Sequence, residues 1–149
     1  MIKTEAKTSD YVVKAETTIS PERIAYVICA GVEGGINYWA TDFLLKQDAT
    51  VTLANGVTRG KRPDGNDPWY VDPALYGGDD FMIEINQIEE HVTGAGTKLA
   101  ITKADIQQAL QIMADKYPWH WNNIVTENED SETGDVLIQL AAFKEIVYG

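Results

Sequence analysis

The chain has little of what disulfide bonding, metal binding or covalent catalysis requires. Its 149 residues include one cysteine and two histidines. Cys29 cannot form an internal disulfide, and it lies in an apolar segment where a buried, inert thiol is expected. His91 and His120 are far apart in sequence, and neither has a second ligand at the spacing of a zinc site. We therefore expect no metal and no cofactor.

Long apolar runs are also missing. No segment reaches the roughly 18 consecutive apolar residues that a membrane-spanning helix needs. The first ten residues, MIKTEAKTSD, are polar and lack the apolar segment of a secretory signal. These features predict one globular domain over residues 1–149, located in the cytoplasm and without a membrane partner.

Basic residues are scarce. The chain has 12 Lys and Arg residues against 23 Asp and Glu residues, which gives a formal net charge of −11. This balance argues against binding to a nucleic-acid polymer and favours basic partners or imitation of DNA. One group of acids comprises Asp64, Asp67, Asp72, Asp79, Asp80, Glu84, Glu89 and Glu90. The second lies in TENEDSETGD, residues 126–135, which we predict to be a solvated loop.

Recognisable catalytic motifs are absent as well. The sequence has no nucleophile elbow, no Walker-type phosphate loop and no zinc-binding helix motif. The neighbouring carboxylates Asp79 and Asp80 do not make an acid–base pair, because adjacent strand positions point to opposite sides. The sequence therefore favours a binding protein over an enzyme.

The most informative segment is residues 20–43, SPERIAYVICAGVEGGINYWATDF. Ser20 is a good helix cap and Pro21 suits the first helical position. A buried stripe is predicted at Ile24, Val27, Ile28, Gly31, Val32, Gly35, Ile36, Trp39 and Phe43. Glycines inside a helix cost about 1 kcal/mol each relative to alanine. A helix end at Gly34, close packing of another backbone, or a ligand against the bare backbone would each explain them.

The rest of the chain predicts an α+β fold of about three helices packed on a mostly antiparallel sheet of four or five strands. Strands are predicted at residues 11–18, 81–85 and 97–101, and a hairpin at residues 50–61 around Asn55-Gly56. Residues 63–79 are predicted to form an irregular loop with aromatic anchors that folds back as a lid or carries function. One helix should begin after Thr102, with Asp105 completing a capping box, and stop before Pro118. The last helix should run from near Thr133 to Gly149.

Aromatic and amide side chains are concentrated in a few places. They comprise Asn37, Tyr38, Trp39, Trp69, Tyr70, Tyr76 and the WHWNN segment at residues 119–123. Core packing is the commoner role for any one tryptophan. However, flat rings also stack on nucleobases, and amides read base edges. Glycine amides with the basic cluster Arg59, Lys61 and Arg62 could hold phosphates.

Two motifs give the chain a resemblance. EGGINYWA at residues 33–40 and DVLIQLAAFKEIVYG at residues 135–149 resemble a widespread family of small tailed-phage and prophage proteins. In that family a helix runs into Gly-Gly-x-x-Tyr-Trp, and the chain ends on a helix of the type IIQxALFGEIVYG. This chain departs at Lys144, where the family has glycine. The resemblance implies a phage product acting in the bacterial host cytoplasm. Small phage proteins of this kind include sponges, which bind cyclic oligonucleotide defence signals as homo-oligomers.

Three functions follow as hypotheses. The leading one is a non-catalytic sponge for a cyclic oligonucleotide, bound by Asn37, Tyr38, Trp39, Arg59, Lys61, Arg62 and Trp69. The second is an acidic DNA mimic or protein-binding inhibitor of a host nucleic-acid-handling enzyme, which requires Asp64, Asp67, Asp72, Asp79 and Asp80 on one face. The third is a phage structural or assembly protein whose aromatic patch is a subunit interface.

Overall fold

The computed structural model describes residues 8–45, 69–88 and 98–149, apart from the side chains of Asp42, Leu44, Leu45 and Trp69. Their elements are α1 (Pro21–Gly34), β1 (Ala40–Leu45), a 3-10 turn (Trp69–Val71), α2 (Pro73–Tyr76), β2 (Met82–Gln87), β3 (Lys98–Thr102), α3 (Lys103–Lys116), α4 (Pro118–Val125) and α5 (Ser131–Phe143). The predicted α+β class is confirmed. Over these ranges it has five α-helices where about three were expected, and three strands where four or five were expected. None of the helices described is long and apolar enough to cross a bilayer.

Helix α1 begins as the sequence predicts. The Ser20 hydroxyl accepts a hydrogen bond from the Arg23 backbone N–H at 3.2 Å, and Pro21 occupies the first turn. The helix ends at Gly34 and is capped by Gly35, whose N–H donates to the Gly31 carbonyl at 2.8 Å. The predicted stripe therefore lies on the helix only as far as this end, and Trp39 reaches the core from the bend that follows.

Helices α1 and α5 touch through their backbones. A Cβ built on Gly31 would lie 2.7 Å from the carbonyl carbon of Gly134, and one built on Gly134 would lie 2.3 Å from the Gly31 nitrogen. A Cβ on Gly35 would lie 2.4 Å from the Ser131 carbonyl oxygen. Close backbone packing thus explains Gly31 and Gly35, while the helix end explains Gly34.

Helix α5 is the central helix of the core. Every residue from Thr133 to Ala141 is buried, and the helix packs against both α1 and α3. Asp130 caps it by accepting a hydrogen bond from the Thr133 N–H at 2.8 Å. The predicted helix to Gly149 is wrong, because Lys144 adopts the left-handed backbone conformation (φ 64°, ψ 10°) that ends helices. Glycine would fit that conformation without strain.

The sheet is antiparallel in the order β1-β2-β3. Ile83 pairs with Ile101 and Ile85 pairs with Leu99, and all four side chains are buried in the core shared with the helices. The predicted alternation of buried and exposed residues along β2 is confirmed.

The capping box that opens α3 is also confirmed. Thr102 and Asp105 exchange hydrogen bonds between side chain and backbone, and α3 ends before Pro118. Pro118 then starts α4, so the WHWNN segment is helical, which was not predicted.

One further prediction is wrong, one is wrong in part, and one lies outside the described residues. Residues 11–18 form no strand and are exposed. Part of the expected irregular loop, residues 69–76, forms the 3-10 turn and α2, with Leu75 and Tyr76 anchored in the core. The hairpin at residues 50–61 falls outside the described ranges.

Replacing Gly31 by alanine should destabilise the protein by about 3 kcal/mol, because the added methyl meets the Gly134 backbone, which cannot rotate away. Chemical denaturation followed by circular dichroism measures the change. Gly77→Ala is the matched control, since its Cβ would sit 3.4 Å from the Pro21 side chain, an ordinary contact. Equal effects from the two substitutions would contradict the close crossing of α1 and α5.

Candidate functional site

The bend after α1 turns consecutive side chains in opposite directions. The N–H groups of Trp39 and Ala40 both donate to the Ile36 carbonyl, at 3.0 and 2.9 Å, which closes a tight turn. Asn37 is exposed and Tyr38 is 53% exposed, whereas Trp39 is 0% exposed. The turn therefore offers one amide and one aromatic ring to solvent and buries the indole.

Asp135 on α5 accepts hydrogen bonds from both aromatic side chains of this bend. Its Oδ1 accepts the Trp39 indole N–H at 2.7 Å, and its Oδ2 accepts the Tyr38 hydroxyl at 2.7 Å. The Gln139 amide donates to Oδ1 at 2.9 Å from one turn further along α5. We call Tyr38, Trp39, Asp135, Gln139 and Tyr148 the Asp135 cluster.

Gln139 joins this cluster to the C-terminal segment. Its Oε1 accepts the backbone N–H groups of Val147 and Tyr148, both at 2.8 Å, and its Nε2 donates to the Tyr148 carbonyl at 3.2 Å. The Tyr148 ring lies parallel to the Trp39 indole, with 5.3 Å between ring centroids and 9° between planes. Residues 33–40 and residues 135–149, which carry the two sequence motifs, thus contact each other directly.

The Asp135 cluster contains a nearly buried carboxylate that three hydrogen-bond donors stabilise. Asp135 is 7% exposed, and among the described residues no Lys or Arg is ion-paired with it. Burial, followed by the hydrogen bond to Asp135, raises the pKa of the Tyr38 hydroxyl to about 12. Tyr38 therefore stays a neutral donor over the physiological pH range, and its ring is held in place by Asp135.

The predicted site residues differ in their exposure to solvent. Asn37 and Tyr38 lie side by side at the surface. The stacking role predicted for Trp39 is wrong in this structure, because its ring is fully buried and packs against both Tyr148 and Phe143. Trp69 is the first residue of the 3-10 turn, and its side chain is not among those that the structure describes. Arg59, Lys61 and Arg62 lie outside the described residues.

Acidic residues also depart from the predicted pattern. Asp72 is 2% exposed and caps α2 by accepting the Ala74 N–H at 3.1 Å, so it is not part of an acidic face. Asp79 and Asp80 are exposed, and Asp79 pairs with Lys103 at 3.3 Å. Asp64 and Asp67 lie outside the described residues. Within the second acidic group, Asp135 is buried on α5, which overturns its assignment to a solvated loop.

Two residues of the WHWNN segment, His120 and Asn123, have a structural role. Thr133, fully buried on α5, has its hydroxyl 3.0 Å from His120 Nδ1 and accepts the Asn123 amide N–H at 3.1 Å. These bonds attach α4 to α5. Trp119 stays largely exposed beside His120.

Sequence reasoning missed Asp135, Gln139 and Tyr148 as members of the site. One signal was available: Asp135 and Gln139 are spaced by four residues inside an otherwise apolar helical run, and polar side chains at that spacing share one helix face. A polar pair on a buried helix needs hydrogen-bond partners. The aromatic partners at Tyr38 and Trp39 are almost a hundred residues away, so sequence spacing alone did not identify them.

No known protein family, curated protein or solved structure matches this chain. The family inferred from the two motifs stays a prediction.

The raised pKa of Tyr38 predicts alkaline destabilisation. A tyrosine has a pKa of about 10 when unfolded. With a folded pKa of about 12, its contribution to stability is complete below pH 10 and is lost as the pH rises through about 12. Tyr38→Phe should reduce the fall in unfolding free energy between pH 10 and 12, measured by denaturation at each pH. It should not abolish the fall, because burial and Glu33 raise the pKa of Tyr70 to about 12 as well. An unchanged slope would count against the Tyr38–Asp135 bond.

Replacing Gln139 by alanine should release the C-terminal segment. The Val147 and Tyr148 amides lose their shared acceptor, and we expect their hydrogen exchange to speed up at least about tenfold, with a stability loss of about 2 kcal/mol. Gln111→Ala is the matched control, because the side chain of that exposed glutamine has only one hydrogen bond in the described part of the chain, to Asp115 at 3.1 Å. Unaltered exchange at residues 147 and 148 would show that Gln139 does not hold this segment.

Proposed function

We propose that this protein is a phage immune-evasion protein that binds and sequesters a cyclic oligonucleotide defence signal without cleaving it. The single observation that carries the proposal is the presentation of Asn37 and Tyr38. Both side chains are exposed at a bend whose backbone and aromatic neighbours are anchored in the core. The phage resemblance of the segments that meet at this bend supports the same proposal.

Tyr38 supplies the stacking surface. Its hydroxyl is held by Asp135 at 2.7 Å and its ring meets Tyr148 edge-on, with centroids 6.4 Å apart. These contacts restrict the ring before any ligand arrives, so little side-chain entropy remains to be lost on binding. Stacking of a base on an aromatic ring contributes about 1–3 kcal/mol in single-stranded nucleic-acid complexes.

Asn37 supplies the polar contact. It precedes Tyr38 on the same exposed bend, and its amide has both a donor and an acceptor for the edge of a base. The two residues together resemble the pairing of stacking and edge recognition by which proteins read unpaired bases.

The charge of Asp135 restricts how such a ligand lies. A phosphate close to this carboxylate would be repelled, so we expect the base over Tyr38 and the phosphates directed away from the Asp135 cluster. Arg59, Lys61 and Arg62 remain the proposed phosphate partners. Trp39 is not part of the proposed contact surface, since it packs against Tyr148.

The hydrogen bonding of the cluster favours binding over catalysis. Asp135 already accepts three hydrogen bonds, and the Gln139 amide bonds Asp135 and the backbone of the C-terminal segment. A general base must lie within hydrogen-bond reach of the proton that it takes from the substrate, and Asp135 is only 7% exposed. The polar groups beneath Tyr38 therefore support the site, and the exposed groups contact the ligand.

Isothermal titration against a panel of cyclic di- and trinucleotides tests the proposal. We expect one member to bind, Tyr38→Ala to weaken it by about tenfold or more, and Tyr38→Phe to retain most of the affinity. The phenylalanine variant keeps the ring but loses the bond to Asp135, so it separates stacking from any disturbance of the cluster. Tyr26→Ala is the control for removing an exposed tyrosine, because Tyr26 on α1 is 52% exposed.

Absence of binding by every member of the panel would remove the proposal. The alternative would then be an acidic inhibitor that binds a basic, nucleic-acid-handling host protein. One observation favours it: Glu127, Asp130 and Glu132 are exposed around the start of α5. Equal loss of nucleotide affinity in the Tyr26 and Tyr38 alanine variants would instead show that the ligand does not sit on Tyr38.

A further inference from the structure

The segment before α1, residues 11–19, is an arm without helix or strand, and the apolar side chains at its start are in solvent. Tyr11 is 100% exposed, Val12 80% and Val13 84%. Aromatic and β-branched residues of this kind favour strands. Nevertheless the arm forms no strand, and it is paired with none of β1, β2 and β3. A strand-forming segment that has exposed apolar side chains, and whose backbone joins no strand in the described part of the chain, is suited to pairing with another chain.

A cleft separates the arm from the helices beneath it. It measures about 820 Å³ and lies between residues 13–19 on one side and α3 and α4 on the other. The helical wall consists of Gln107, Leu110, Gln111, Ala114, Asp115 and Trp121. Only Ile19, at the base of the arm, packs against the core. The arm therefore stands away from its own helices and leaves room for further packing.

The arm sequence, YVVKAETTI, is complementary to itself in one antiparallel register. With Ala15 opposite Ala15, each Lys14 lies opposite the Glu16 of the other copy. In the same register Val13 meets Thr17 and Val12 meets Thr18. Opposite charges and β-branched pairs directly across an antiparallel ladder are the stabilising combinations.

Neighbouring registers lose this complementarity. A shift by one residue places the charges opposite uncharged side chains. A shift of two residues places Lys14 opposite Lys14 or Glu16 opposite Glu16, and like charges directly opposite are destabilising. The charge pattern thus selects the register centred on Ala15.

We propose that two copies of this chain form a two-fold dimer by pairing their arms antiparallel, with Ala15 at the centre. In a regular strand Val13, Ala15 and Thr17 share the side of Ile19, which packs against the core. In the dimer that side faces the cleft, whereas Lys14 and Glu16, which line the cleft in the single chain, turn to the outer side. Because an isolated two-stranded ribbon is only marginally stable in water, the α3 walls of the clefts supply the packing it needs. The same surface serves both copies, as a closed two-fold interface requires.

This dimer is independent of the nucleotide proposal and is tested without any ligand. Sedimentation equilibrium of the full chain should show a monomer–dimer equilibrium. Lys14→Glu and Glu16→Lys should each raise the dimer dissociation constant by about tenfold, because each creates two like-charge pairs across the two-fold axis. The double reversal Lys14→Glu/Glu16→Lys restores opposite charges in this register only, and should return the constant to within about threefold of the original.

The controls separate arm pairing from general charge effects. Glu145→Lys makes the same change of charge as Glu16→Lys at another exposed position and should leave the dissociation constant unchanged. All three arm variants change exposed side chains, so each should retain the circular dichroism spectrum of the original chain. A full chain that stays monomeric at 100 µM (roughly the upper range of such experiments) overturns the proposal. So do single reversals without effect, or a double reversal that fails to restore association.

Discussion

The contact of α1 and α5 at Gly31 and Gly134 is the constraint on which the other features depend. The two backbones meet where any side chain would collide, so the depth at which α5 enters the core is set by the absence of two Cβ atoms. Asp135 follows Gly134 directly, and Gly35 packs on Ser131 one helical turn earlier. The crossing therefore brings a carboxylate on α5 next to the bend that ends α1. A wider crossing would separate Asp135 from Trp39 and Tyr38.

The Asp135 cluster shows how the fold compensates for a charge in its interior. A buried carboxylate is costly unless it is paired or hydrogen-bonded. Here an indole N–H, a phenol and an amide all donate to it, and hydrogen bonds to an ionised acceptor are stronger than neutral ones. Gln139 extends the same network to the backbone of the last residues. The result is a C-terminal segment that packs on Trp39 without being helical, beneath a tyrosine ring whose outer surface is free.

The residues around the bend thus fall into two groups, buried residues that hold the backbone and exposed residues at the surface. The residues that are hardest to replace, Gly31, Gly134, Asp135 and Gln139, are buried and hold the backbone. Asn37 and Tyr38 are exposed, and they are the groups that we propose to contact the ligand. The arm at residues 11–19 lies elsewhere, across a cleft from α3 and α4, so the proposed association of two copies and the proposed recognition at the bend involve different surfaces.

Local signals in the sequence predicted several elements correctly. The caps at Ser20 and Thr102, the stop before Pro118 and the alternation along β2 are confirmed, because each depends on neighbours within a few residues. The start of α4 at Pro118 was missed although the same proline carries the signal for it. The end of α5 was misplaced because Lys144 has a left-handed backbone that its residue type does not favour.

The candidate site likewise has features that the sequence predicts and features that depend on the tertiary structure. The sequence by itself determined that residues 37–39 combine an amide with two aromatic rings after a pair of glycines. Only the tertiary structure decided which ring is buried, since Trp39 turns inward to a carboxylate 96 residues away and Tyr38 stays at the surface. The same holds for residues 11–18, whose strand-forming side chains are evident from the sequence. A strand needs a partner at its edge, and whether the fold supplies one depends on contacts between distant segments, which no local pattern encodes.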